Sequence, residues 1–162
     1  GSDSFADMLL SPNHGEECND ACYECLKNFR NMAYHSLLDW RLGVSIVNVL
    51  ADSKYIAGLH GKFDSPELEG WLENATTLRD SLLGAYANYN PEPTQWDILP
   101  GLDIGPKRLV LTHELWDTSN PPSESVLMKA KNEAEANIGN KKLHFVNPFN
   151  IARRPSSVIT GF

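Results

Sequence analysis

Three cysteines, Cys18, Cys22 and Cys25, fall within eight residues of a 162-residue chain that contains no others. An odd number cannot pair fully within one chain, and Cys22 and Cys25 are too close in sequence for a disulfide between them to close a useful loop. Their C-x2-C spacing instead lets two thiolates of one tight turn point at one metal ion. Zinc suits such a cluster: it binds thiolate and imidazole without ligand-field preference and closes a structural site with four protein ligands. One of the four places stays open. His35, ten residues after Cys25 and near the start of a predicted helix, is expected to fill it by reaching back to the turn. His14, four residues before Cys18, is the alternative, with a water or a ligand from elsewhere as a further one. Free, clustered thiols imply a reducing compartment, with the cytoplasm as the default.

The run Cys18-x3-Cys22-Tyr23-x-Cys25-Leu26, then Asn31, then His35-x2-Leu38-Asp39 resembles the MrfA-type zinc-binding (MZB) domain that follows the motor in DEAD/DEAH-box helicases. The resemblance covers residues 15 to 45. It implies a zinc-bearing C-terminal accessory module of a large superfamily 2 DNA helicase or translocase, with relatives in antiphage defence systems. The partners it implies are the motor domains of the parent chain, DNA, and another defence-system subunit. Members of that family often hold zinc with four cysteines; this chain has three. The segments His113–Asp117 and Phe149–Pro155 are similar to the ends of such helicases.

Catalytic motifs are missing from the sequence. It has no G-x4-G-K-[ST] phosphate loop, no G-x-S-x-G elbow and no H-E-x2-H helix, so no ATPase, esterase or metalloprotease chemistry is assigned and no catalytic residue is named. His60-x-Lys62 followed by Glu67 matches only half of a phospholipase-D-type nuclease motif. His113, Glu114 and Asp117 follow a predicted strand, where open α/β sheets place their sites, and supply the alternative reading of a nuclease-like domain. Packing by Trp116 and capping of the strand end account for the same residues without chemistry.

The chain carries 14 basic and 21 acidic side chains, a net charge of −7, which argues against nucleic-acid binding by the whole surface. The average conceals a gradient. Residues 1–106 hold six basic and sixteen acidic groups (net −10), whereas 107–162 hold eight and five (net +3). Lys107-Arg108, Lys129 and Lys131, and above all Lys141, Lys142, Arg153 and Arg154 are therefore the candidate contacts to phosphates, which arginine grips bidentately.

With 41% hydrophobic residues and no apolar run near the roughly 20 residues of a membrane helix, the chain reads as one soluble domain without a membrane segment. Gly1-Ser2 reads as a remnant of tag removal and residues 3–162 as a single accessory domain. Leu38, Leu42, Ile46, Val49 and Leu50 predict an amphipathic helix from His35 to Asp52 with that face in the core. Ser65-Pro66 predicts the capped start of a second helix through Tyr86. Pro91, Pro93, Pro100 and Pro106 make 90–106 a linker. Beyond it, strands at 108–112 and 142–146 flank a helix from Ser123 to Asn137, which predicts a parallel pair. The expected fold class is α/β, with mixed α+β as the alternative: a helical zinc-bearing lobe (3–89), the linker, and a small strand-helix-strand lobe (107–162).

Overall fold

A computed structural model describes residues 4–158; the Gly1-Ser2 pair lies outside them. The chain divides into two units. One runs to Tyr55 and includes Asp64–Glu69; the other takes Ile56–Phe63 and everything from Gly70 onward. The fold is mixed α/β, as the order of elements predicts.

The first unit holds α1 (Phe5–Leu9), α2 (Pro12–Glu17), a run of 3-10 turns from Phe29 to Leu37, and α3 (Trp40–Ala51). Ser11 caps α2, its hydroxyl accepting from the His14 amide, and Pro12 supplies a preset first-turn φ. Asp39 caps α3, accepting from the Leu42 amide at 3.0 Å. The helix expected to begin at His35 therefore begins at Trp40. Its expected core face is also corrected: Ile46, Val49 and Leu50 are exposed.

The second unit is built on a four-stranded sheet in the order β1-β2-β3-β4: Glu92–Trp96, Leu99–Ile104, Lys107–Leu111 and Lys142–Val146. β1–β2 and β2–β3 are antiparallel, and β3–β4 is parallel, joined through α5 (Val126–Glu135). The expected linker 90–106 is thus two strands and two tight turns. Its prolines sit where no ladder amide is required. Pro93 lies on edge strand β1, Pro100 precedes the part of β2 paired with β3, and Pro106 follows Gly105 (φ +52°) in the turn between those strands. Every residue of β2 and β3 is buried, which requires cover on both faces. That cover comes from α4 (Trp71–Ala85) and α5, with α6 (Pro148–Arg153) packed against α4 and Leu82, Leu127 and Ile151 among the buried side chains.

The helix expected from Ser65 is split. Ser65 opens one turn, its carbonyl accepting from the Leu68 and Glu69 amides, and Gly70 at φ +75° then turns the chain into α4. A left-handed residue cannot continue a right-handed helix, and glycine adopts it without a Cβ penalty. The division between the units falls at this glycine, so α4 belongs with the sheet and not with the first unit. No helix among the described residues is long and apolar enough to cross a membrane.

Candidate metal centre

His14 and Cys18 lie one turn apart, at the middle and the C-terminal cap of α2. Residues four apart on a helix share a face. The chain then passes to the Cys22–Cys25 turn, closed by Cys25 and Lys27 amides donating to the Cys22 carbonyl at 3.3 and 2.8 Å. The Cys22 amide donates to Cys25 Sγ at 3.1 Å. Trp40 fastens this loop to α3: its indole N–H donates to the Cys18 carbonyl at 2.9 Å, its amide donates to the Asp20 carbonyl at 2.8 Å, and its ring meets His14 edge-on at 5.0 Å.

The result is a compact donor set. The ligand atoms of His14, Cys18, Cys22 and Cys25 all lie within 4.8 Å of one another, the one group of three or more potential ligands among the described residues. Cys18 and Cys25 sulfurs are 3.8 Å apart, Cys22 and Cys25 sulfurs 3.6 Å, and Cys22 Sγ is 3.7 Å from His14 Nε2. A tetrahedron with the usual zinc–sulfur and zinc–nitrogen bond lengths has edges of about 3.8 Å between sulfurs and about 3.6 Å between sulfur and nitrogen. The donor set therefore fits a closed zinc site. His14 Nδ1 lies 3.0 Å from the Leu9 carbonyl, which holds the proton on that nitrogen and leaves Nε2 for the metal.

Electrostatics within the cluster favour a cation. Burial, then the hydrogen bonds and charges of Cys22 and Cys25, push the Cys18 thiol up to about 12. Burial also acts to raise Cys22, but hydrogen bonds from His14, Cys25 and the Glu24 and Cys25 amides outweigh it and hold that thiol at about 7. Three thiolates this close repel one another, and a dication relieves the repulsion.

The expectation for His35 is corrected by its position. Its Nε2 lies 3.0 Å from the Asn28 carbonyl and 2.9 Å from Asn31 Oδ1, and its ring meets Tyr23 edge-on, so it fastens the turn after the metal loop and stands outside the donor group. The signal for His14 was present as His-x3-Cys behind Ser11-Pro12, a capped helical start. His14→Ala is expected to weaken zinc binding at least about a hundredfold, since even the outer partners of ligands are worth about 10–100-fold. His35→Ala should cost far less, because its ring stands outside the donor group and only braces the turn beside it. Competition with a chromophoric chelator distinguishes them, and equal losses would remove the assignment of His14.

The remaining candidates serve packing or stand apart. His113 is buried beside Trp71 and Trp116 and accepts the Leu115 amide; Glu114 accepts the Phe149 amide; Asp117 accepts the amide and hydroxyl of Ser119 in an exposed turn. Glu67 is buried, accepting from Tyr55 and Asn48, while His60 and Lys62 are exposed. Of the four phosphate-contact candidates, Lys141 is bound to Asp103 and Arg153 lies over the Phe149 ring, whereas Lys142 and Arg154 are exposed. Comparisons with protein-family models, curated proteins and solved structures give no match to this chain.

Proposed function

We propose that the chain is a structural zinc-binding accessory module of a large ATP-dependent DNA helicase or translocase, supporting DNA engagement or docking of a partner. The observation that carries the zinc half is the His14–Cys18–Cys22–Cys25 donor set, three of whose six spacings are close to the edges of a zinc tetrahedron while all lie within 4.8 Å. With all four positions supplied by protein, no place is left for a catalytic water, so the ion's role is to join α2 to the Cys22–Cys25 turn. The motor half rests on the resemblance over residues 15–45. Contact with DNA would fall to exposed Lys142 and Arg154 with Arg153 beside them, in a unit whose described residues balance ten basic against ten acidic groups.

Elemental analysis of protein purified without added metal should find one zinc per chain; none, with all three thiols freely alkylated, ends the zinc reading. In the parent polypeptide, Arg153→Glu with Arg154→Glu is expected to lower DNA-stimulated ATPase activity several-fold and to flatten its salt dependence. A parent polypeptide without helicase motifs, or an unchanged response to DNA, defeats the motor half.

A further inference from the structure

Helix α3 turns its polar side inward. Arg41 donates to the carbonyls of Gly15 and Pro66 at 2.7 Å each, Ser45 is fully buried and accepts from Tyr55 at 3.2 Å, and Asn48 donates to buried Glu67 at 3.2 Å. These bonds fix the helix's rotation: turning it would take the Asn48 donor from a buried carboxylate that also accepts from Tyr55, and would part the buried Ser45 hydroxyl from Tyr55, both at a desolvation cost. The apolar side therefore faces outward. Gly43, Ile46, Val47 and Leu50 stand at i, i+3, i+4 and i+7, one stripe of an α-helix, and Ile46, Val47 and Leu50 are 43%, 62% and 82% exposed. A Cβ on Gly43 would meet nothing within 4 Å, so the stripe is open along its length and shallow at one point.

We propose that this stripe is a docking surface for a protein helix whose apolar face is flanked by lysine or arginine. Charge selects that occupant. The described residues of this unit carry four basic and ten acidic side chains, a net −6, and Asp39 and Asp52 cap the two ends of the stripe's helix. A second copy would set −6 against −6, and phosphates of nucleic acid or anionic lipid meet the same repulsion. A cationic amphipathic helix gains from both the apolar contact and the rim, in the helix-on-face mode read through i, i+3, i+4 and i+7 anchors. Gly43 offers the place where a ridge of the incoming helix approaches closest. The proposal does not depend on a helicase motor, because it stands on the exposed stripe and the unit's charge alone.

The test uses the zinc-loaded chain and a synthetic helix about five turns long, with a leucine stripe flanked by lysines. Saturable binding is expected, with the largest amide shift changes at 43–50, and Ile46→Glu with Leu50→Glu should weaken it at least about tenfold while leaving zinc content unchanged. Replacing the peptide's lysines by glutamates should abolish binding. The proposal is overturned if no binding occurs, if binding ignores the double substitution or the peptide's charge, or if sedimentation shows that wild-type chains self-associate through the stripe and the double variant does not.

Discussion

Removing the metal is expected to unfold the unit that contains it and to leave the sheet unit folded. Among the described residues, Cys18, Trp40 and Leu68 are the buried apolar side chains of the unit with the donor set; the others belong to the sheet unit. A segment of this size with so little apolar burial lacks the core that repays backbone ordering. Structural zinc supplies about 10–16 kcal/mol of apparent binding free energy in small metal-organised domains, against a total stability of about 5–15 kcal/mol for an ordinary one. Cys18→Ser should act like a chelator, because it removes the one buried thiol of the donor set. Acid acts in the same direction. Below pH 7 the Cys22 thiol, held at about 7, must also give up a proton on binding, so zinc affinity then falls by about one further factor of ten per pH unit. Hydrogen exchange followed peptide by peptide reads the outcome: α2, the Cys22–Cys25 turn and α3 lose protection, whereas β2 and β3 keep theirs. Unchanged protection of α3 after full loss of metal would show that zinc does not hold this unit together.

The same unit shows where sequence reasoning reaches and where it stops. The Cys22–Cys25 turn was legible because its chemistry is local, and β4 was legible because five residues between turn signals leave little choice. His14 required recognising a helix of only six residues, too short for periodicity to register. The rotation of α3 was misread for a physical reason: periodicity identifies an apolar stripe but not what it faces, and here buried Glu67, which lies far along the chain from α3, draws the polar side inward. Likewise 90–106 looked like a linker because proline counts against a strand. Whether each proline meets a ladder amide depends on register and edge position, which are tertiary facts. The break at Gly70 rested on a single positive φ inside an otherwise continuous helical pattern.

Asp103→Ala is expected to destabilise the sheet unit by about 3–5 kcal/mol, the usual result of removing one partner from a buried ion pair. Asp103 and Arg108 face each other directly in the β2–β3 register, and both are buried. The carboxylate accepts from Arg108 Nε and Nη2 at 2.8 Å each and from Lys141 Nζ at 2.6 Å. Arg108 continues to the end of α5, donating to the Ala134 carbonyl at 2.9 Å, and stacks on Trp96. One guanidinium thus ties two strands to the last turn of a helix, where a cation is favoured. Without Asp103 that charge stays buried and loses its two-pronged partner. Lys141 is partly exposed, so Lys141→Met should cost at most about 1 kcal/mol. Burial acts to raise the Asp103 carboxyl, but the hydrogen bonds and charges of Arg108 and Lys141 outweigh it and hold it below the usual carboxylate range. A carboxyl depressed in the folded state contributes stability that is complete above its unfolded value, about pH 4, and is lost as pH falls through the lower folded value. Denaturant midpoints measured across that window should fall with acid in the wild type and less steeply in Asp103→Asn. The double change Asp103→Leu with Arg108→Met should recover part of the single variant's loss, because it removes the orphaned charge. An Asp103→Ala cost below about 1 kcal/mol, with an unaltered acid profile, would place this pair among ion pairs that contribute nothing measurable.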